Sequence, residues 1–233
     1  MLIHPISLGL GAVAVLLAWP VPIALARARW TLRRPVIAMV CWQGIAVAGG
    51  FSMIGALWSL SRGAAVLLAL HLLLNLGLTA VGTSRQRRRH RQLVELLSSP
   101  MPDRPNTRLI ENEAPVAYCL PGAPRSVTVL SDGLVRLLSD DELAAVVAHE
   151  RAHVTQHHHV VLMAFKAWHT ALPWFPIASR AEEAVALLVE LLADDDARQV
   201  VPDEVLASAV ERVAGTDASS VAPRLARLSR AGS

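Results

Sequence analysis

The first acidic side chain in this sequence is Glu95, and the residues before it form long apolar runs separated by arginine-rich segments. Three of these runs, at residues 6–26, 36–60 and 64–82, contain no Asp, Glu, Lys or Arg. A helix of about 20 apolar residues, rising about 1.5 Å per residue, can cross the roughly 30 Å hydrocarbon layer of a bilayer. We therefore predict three transmembrane helices, which form a membrane anchor over residues 1–84.

The arginines predict the orientation of this anchor. RARWTLRR (27–34) and RQRRRHR (85–91) flank the first and third apolar runs on one side, against Arg62 alone on the other side. Since basic loops stay in the cytoplasm, we expect a multi-pass plasma-membrane protein with its N-terminus outside and a cytoplasmic domain after residue 85. The net charge of +3 comes largely from these clusters, so the expected partner is the lipid bilayer and no direct binding of nucleic acid is expected.

The remaining sequence predicts a linker, a mainly helical domain and a tail. A basic juxtamembrane segment and a linker rich in proline and polar residues (98–115) occupy residues 85–115, the domain occupies 116–215, and a tail that is loose or associated with the membrane follows at 216–233. VAYCL and SVTVL are short β-rich runs that predict a small hairpin. Ser139 and Glu142 in SDDE have the spacing of a capping box, which predicts the start of a helix.

This predicted helix contains HERAH at residues 149–153. His149 and His153 are one helical turn apart, so both imidazoles can bind one metal ion, and Glu150 can act as a general base beside it. Two of the five positions in HExxH are unrestricted, so the pattern also arises by chance. The alternative interpretation is a histidine-rich helix that faces solvent.

Two residues are candidates for the third metal ligand. His159 has the spacing of the third histidine in HExxHxxGxxH peptidases, but no glycine breaks the chain, and a continuing helix carries His159 out of reach. Glu190, in a second helical pattern, can complete a site of two histidines and one glutamate. Asp194, one turn further on, can accept the outer N–H of a ligand histidine. The alternative for ELLADDD is a helix end with its acidic residues in solvent.

Taken together, SDGLVRLLSDDELAAVVAHERAHVTQHHH, LPWFP and ELLADDDA resemble the BlaR/MecR-type membrane metallopeptidases and, more distantly, the HtpX and CAAX prenyl endopeptidase group. These families are gluzincins. The resemblance implies a mainly α fold, in which N-terminal transmembrane helices precede a gluzincin-like zinc metallopeptidase domain with a small β-hairpin or sheet. It further implies one Zn²⁺ per chain on His149, His153 and Glu190, catalysis by Glu150, and a supporting role for Asp194.

The apolar segment at residues 160–178 could be read as a fourth transmembrane helix. A complete crossing would place Glu190 on the opposite side of the membrane from His149, so we expect a continuation of the α-helix that turns at LPWFP and returns. Tryptophans in this segment favour a position against the bilayer surface.

We thus expect a zinc endopeptidase that cleaves a cytoplasmic or juxtamembrane peptide bond for regulation or quality control. The family resemblance implies that the substrate can be a transcriptional repressor or the protein itself. An extended substrate would pair with the strand near Tyr118. The sequence leaves the group that stabilises the oxyanion open among four residues, namely Tyr118, His157, His169 and Arg198. A non-catalytic membrane scaffold or signalling protein with a structural zinc site is the alternative function.

Overall fold

The computed structural model describes residues 5–101, 104–120, 126–173, 176–214 and 218–231. The helices are α1 (Pro5–Ala18), α2 (Pro20–Arg27), α3 (Trp30–Arg33), α4 (Pro35–Leu60), α5 (Arg62–Leu97), α6 (Asp132–Leu137), α7 (Asp140–Thr155), α8 (His158–Ala171), α9 (Pro176–Ala197), α10 (Asp203–Ala214) and α11 (Ala218–Ala231). The strands are β1 (Ser98–Pro100), β2 (Thr107–Ile110), β3 (Ala117–Leu120) and β4 (Val127–Ser131). This mainly helical fold, with apolar N-terminal helices and a small sheet, confirms the predicted fold class.

The chain divides into two compact units. The first comprises Met1–Thr83 and Val160–Leu188, and the second comprises Ser84–His159 and Val189–Ser233. The membrane-anchor sequence and the hairpin of α8 and the first half of α9 therefore belong to one unit. The sheet and the histidine motif belong to the other.

Three helical stretches in the described part of the chain are long and apolar enough to cross a membrane, namely Leu8–Arg27, Pro35–Leu60 and Arg62–Leu97. The first is divided at Trp19, because Pro20 begins a new helix at its first position, where a missing N–H is tolerated. The third is longer than predicted, since α5 continues for 36 residues through the arginine run into the expected linker. Arginine, glutamine, leucine and glutamate in that run are good helix formers.

Close helix contacts in the first unit depend on small residues. A Cβ atom added at Gly55 would lie 2.9 Å from Cδ1 of Leu10, and one at Gly50 would lie 3.1 Å from the ring of Trp168. His71 forms a hydrogen bond between helices, with its Nε2 3.0 Å from the carbonyl oxygen of Ala171. Glycine at the two positions therefore permits packing that a larger residue would prevent.

The second unit contains a four-stranded sheet in the order β1-β2-β4-β3. Strand β3 pairs antiparallel with β4, as the predicted hairpin requires, and residues 121–125 between them lie outside the described part of the chain. Strand β2 pairs parallel with β4, and β1 pairs antiparallel with β2. The prediction of a linker across residues 98–115 was therefore wrong in part, because two of its short segments pair within the sheet.

Helix α7 begins as predicted. The Ser139 hydroxyl accepts from the Glu142 backbone N–H, and the Glu142 carboxylate accepts from the Ser139 backbone N–H, which forms a complete capping box. Buried leucines hold the start of α7 against the sheet and α6, namely Leu130, Leu134, Leu138 and Leu143. A second buried cluster joins α7 to the C-terminal helices through Ala145, Ala197, Leu206, Ala209, Val210 and Leu228.

Two expectations about the helices of the second unit were wrong, namely the length of α7 and the absence of a helix in the tail. Helix α7 does not continue to His159, because it ends at Thr155 and His157 adopts a left-handed backbone conformation with φ 53°. Residues other than glycine rarely adopt this conformation, so the sequence does not indicate that the helix ends here. The expected loose tail also forms helix α11, whose Leu228 is 3% exposed within the second buried cluster.

Candidate metal centre

Helices α7 and α9 bring three potential metal ligands together. The Nε2 atoms of His149 and His153 lie 3.2 Å apart, and the Glu190 carboxylate lies 3.2 Å from the first and 3.6 Å from the second. Within the described part of the chain, no other set of three or more His, Cys, Asp or Glu residues has all its ligand atoms within 4.8 Å of each other. His159 does not belong to this group.

The donor atoms fit a zinc ion. Ligands bound at about 2.0–2.1 Å in a tetrahedral arrangement lie roughly 3.3 Å from one another, which is close to the three observed separations. Two imidazoles and one carboxylate are also a common ligand set of catalytic zinc, in which the fourth position stays open. Three electron-pair donors at such short distances repel one another unless a cation or a proton lies between them. The residues present therefore suit a divalent metal ion.

The outer face of His149 is held by a buried charged pair. Its Nδ1 donates to Oδ1 of Asp194 over 2.9 Å, so Nε2, which lies 3.2 Å from Glu190, is the ring atom available to a metal ion. Asp194 is 2% exposed and also accepts two hydrogen bonds from Arg224, at 2.8 Å from Nε and 2.7 Å from Nη2. The planar guanidinium thereby fixes the carboxylate that orients the histidine.

The outer face of His153 is held by a neutral chain. Nδ1 of His153 lies 3.2 Å from Nδ1 of His158, and Nε2 of His158 lies 2.9 Å from Oε1 of Gln156. Since the amide oxygen can only accept, His158 donates from Nε2 and accepts at Nδ1. His153 then donates from Nδ1, which leaves the Nε2 lone pair free for a metal.

The surroundings of the centre act differently on its three groups. Burial and the neighbouring His149 lower the pKa of His153 to about 4, so this ring stays neutral. Burial also opposes protonation of His149, but hydrogen bonds to Asp194 and Glu190 outweigh it and raise the pKa to about 9. Burial likewise opposes ionisation of Glu190, whereas His149, His153 and Arg224 keep its pKa below the ordinary value. The negative surroundings that favour an imidazolium also favour a metal cation.

Glu150 lies beside these ligands in a different environment. Burial raises the pKa of its carboxyl group to about 7, and the charge of Glu190 acts in the same direction. His149, Arg224 and the backbone N–H of Cys119 on β3 oppose this shift. A carboxyl group with a pKa near neutrality can both accept and return a proton.

The structure gives other partners to two residues that the sequence suggested for oxyanion stabilisation. Arg198 pairs with Asp203 at 2.7 Å and Asp195 at 3.4 Å, and His169 lies 2.6 Å from Glu182. The ring of Tyr118 packs against His90 at 4.9 Å between centroids, and that of His157 lies 6.1 Å from His159. None of these contacts identifies an oxyanion group.

Sequence reasoning missed two residues that contact the centre, His158 and Arg224. No role for His158 follows from the sequence, because only the turn after Thr155 places its ring beside His153. Arg224 lies in the expected tail. Arginines at 224 and 227 share one helical face and pair with Asp194 and Asp195, so their spacing opposite the acidic run was the available signal.

The comparisons with known proteins agree with this site. The profile of peptidase family M48 matches residues 83–212, which is more than half of the chain and includes the three candidate ligands and Glu150. No solved structure matches the chain. The length of the family match shows that the chain belongs to peptidase family M48 and is a metallopeptidase of that family.

Proposed function

We propose that this chain is an integral-membrane zinc endopeptidase that hydrolyses peptide bonds of cytoplasmic or juxtamembrane proteins. The observation that carries the proposal is the convergence of His149, His153 and Glu190 beside the half-buried carboxyl group of Glu150. Membership of a metallopeptidase family supports the reaction class. The three apolar helices support attachment to a membrane.

His149, His153 and Glu190 would hold the zinc ion, which when bound supplies Lewis-acid polarisation of the substrate carbonyl and activation of water. Glu150 accepts a proton on its carboxylate as the water oxygen attacks the carbonyl carbon of the peptide bond. Glu150 then returns the proton to the amide nitrogen as the carbon–nitrogen bond breaks.

The remaining polar residues orient these groups. Asp194 and Arg224 keep Nε2 of His149 directed toward the candidate centre. His158 and Gln156 do the same for His153. Such outer hydrogen bonds fix the tautomer and the ring position of metal ligands.

Strand β3 offers a binding edge for the substrate. It is an edge strand of the sheet, and the backbone N–H of Cys119 stabilises the Glu150 carboxylate. An extended peptide that adds to this edge would place its backbone next to the general base. This arrangement supports an unfolded or extended protein segment as the substrate.

The arginine runs at residues 27–34 and 85–91 support a plasma-membrane location with a cytoplasmic catalytic domain. We further propose that the hairpin at 160–178 lies against the membrane surface. The likeness to BlaR/MecR-type peptidases supports regulatory cleavage, either of a transcriptional repressor or within this chain. Zn²⁺ at one ion per chain is the proposed cofactor.

The test is proteolysis by the purified full-length chain in lipid nanodiscs loaded with zinc. Glu150→Gln should keep about one zinc per chain and lower the rate of peptide-library cleavage by roughly 10²- to 10⁴-fold, because only the proton acceptor is lost. Cleavage is measured by mass spectrometry and zinc by atomic emission.

Glu211→Gln, at an exposed position of α10, is the matched control and should cleave like the wild type. Equal cleavage by wild type and Glu150→Gln would contradict the enzymatic function. The alternative function, a scaffold with a structural zinc site, predicts a different result. In that case the wild type cleaves nothing, and binding of a protein partner survives Glu150→Gln but is lost in His149→Ala.

A further inference from the structure

The last turns of α5 carry an exposed apolar face outside the candidate metal centre. Leu93, Leu96 and Leu97 are 55%, 81% and 72% exposed, whereas Val94 is 5% exposed. Because Leu96 and Leu97 follow Leu93 by three and four residues, the three leucines lie together on one side of the helix, and Val94 is buried on another. A single exposed apolar residue is ordinary, whereas a cluster on one helix face indicates an interaction surface.

Two exposed arginines continue this face toward the start of α5. Arg89 precedes Leu93 by four residues and Leu96 by seven, so it lies on the same side of the helix, and Arg88 lies beside it. The surface referred to below as the α5 face therefore has an apolar half and a basic half. It comprises Leu93, Leu96 and Leu97 together with Arg88 and Arg89.

The bilayer does not account for the α5 face. The third apolar run ends at Gly82, and the three leucines follow it by 11 to 15 residues of the same helix. At about 1.5 Å per residue they lie roughly 16–22 Å beyond that run along the helix axis, and Arg88 and Arg89 lie about 9–11 Å beyond it, whereas the headgroup layer is only about 5–8 Å thick. A tilt of about 20° shortens these distances by less than a tenth. When the run spans the bilayer, the leucines are therefore out of reach of lipid.

A second copy of the chain does not fit the α5 face either. Two copies inserted in one membrane share the same orientation, so their α5 helices run parallel to each other. A two-fold contact through the α5 face would place Arg88 and Arg89 of one copy beside those of the other, and like charges in contact are unfavourable. Glu95, the nearest acidic residue in the sequence, already pairs with Arg91 at 3.1 Å. The occupant must therefore supply negative charge.

We propose that the α5 face is a docking surface for an acidic amphipathic helix of a partner protein. Apolar residues of that helix, at the spacing i, i+3 and i+4, cover the three leucines, and Asp or Glu residues one to two turns away pair with the two arginines. The surface is small, so the complex belongs to the weak, transient class. The proposal goes beyond peptide hydrolysis, because it assigns a partner to a surface that contains no residue of the candidate metal centre.

The probe is a designed peptide of about 20 residues, long enough to form a helix, that carries three leucines at this spacing and two glutamates one to two turns away. Because the helix can bind in either direction, the peptide is made with the glutamates before and after the leucines. Fluorescence anisotropy with the full-length chain in nanodiscs of zwitterionic lipid should show saturable binding of one of the two peptides in the micromolar range. Absence of saturable binding by both peptides would overturn the proposal.

Substitutions in each half of the α5 face should weaken this binding. Leu96→Ser should weaken it by at least about tenfold, because the most exposed leucine is lost. Arg88→Glu combined with Arg89→Glu should weaken it by about fivefold, and a peptide with lysines in place of the glutamates should recover it. Val200→Ser and Arg136→Glu, at exposed positions of other segments, are the matched controls and should bind like the wild type. Equal losses in the controls, or no recovery by the lysine peptide, would contradict the docking surface.

Hydroxyl-radical footprinting and native mass spectrometry separate the possible occupants. Leu93, Leu96 and Leu97 should be oxidised in the free chain in nanodiscs and protected when the peptide binds. Leucines that are already protected in a monomeric chain without peptide would show that the α5 face lies in the bilayer, against the proposal. A dimer that Leu96→Ser dissociates would assign the face to a second copy and would also reject the acidic partner.

Discussion

The two candidate ligand histidines of α7 present the same ring atom to Glu190, but the regions behind their rings differ. Behind His149 lies the buried pair of Asp194 and Arg224, which carries full charges and joins α9 to α11. Behind His153 lies the turn between α7 and α8, where His158 donates to the exposed amide of Gln156. The side chains of His149 and His153 are accordingly 9% and 23% exposed.

This difference separates two ways of holding a metal ligand. A carboxylate behind an imidazole fixes its tautomer and also raises its affinity for a cation, whereas a neutral acceptor fixes the tautomer with little electrostatic gain. We therefore expect the region behind His149 to contribute most to metal affinity, and the region behind His153 to contribute less. Three substitutions test this order, and a fourth tests the stability of the start of α7.

Asp194→Asn should have the largest effect. The amide oxygen can still accept from His149, but the negative charge is lost, so zinc affinity should fall by about 100-fold. Competition with a chromophoric chelator measures the dissociation constant. An unchanged constant would show that the charge behind His149 has no role in metal binding.

Arg224→Met should have the next effect, because it removes both hydrogen bonds to a buried carboxylate. We expect zinc affinity to fall by roughly 30-fold and the free energy of unfolding by about 3 kcal/mol, since one partner of a buried pair is left alone. Chelator competition and thermal unfolding measure the two quantities. Arg224→Lys should restore only part of the loss, because an ammonium group lacks the two-pronged geometry. Full restoration by lysine would contradict the role of the bidentate contact.

His158→Ala should weaken zinc binding by only about tenfold, because a neutral acceptor is lost. His159→Ala is the matched control, since this neighbouring residue is outside the ligand group, and it should retain wild-type affinity. Loss of zinc in His159→Ala together with retention in Glu190→Ala would instead favour three histidine ligands.

Glu142→Gln should have the smallest effect, and on stability rather than on zinc affinity. The Ser208 hydroxyl and the Ser139 backbone N–H lower the pKa of Glu142 from its ordinary 4.5. The resulting stabilisation is present above about pH 4.5 and is lost as the pH falls through the lowered pKa. At neutral pH the variant should be less stable by about 1 kcal/mol, and the two unfolding midpoints should converge in acid. A change in zinc affinity would show that this region also supports the metal site.

The residues that could be predicted from sequence share one property, which is a fixed local spacing. His149, Glu150 and His153 follow from the helical repeat, and Ser139 with Glu142 marks the helix start. Glu190 and Asp194 were predicted because they repeat the same one-turn spacing on a second helix. Glu190 and Asp194 reach His149 once the second helix returns antiparallel to the first, so no other long-range contact had to be predicted.

The residues that were missed depend on tertiary contacts. His158 reaches His153 only because His157 adopts a left-handed conformation, which a sequence without glycine does not announce. Arg224 reaches Asp194 only because α11 packs into the cluster around Leu228. The parallel pairing of β2 with β4 joins segments across an intervening strand, and prolines around β2 favour a linker instead.

Anomalous diffraction at the zinc absorption edge, from crystals of the zinc-loaded chain, tests the metal centre most directly. We predict one peak per chain within zinc-ligand distance of the His149 and His153 Nε2 atoms and the Glu190 carboxylate. A peak bound by His157 or His159 in place of Glu190, or no peak between α7 and α9, would contradict the proposed centre.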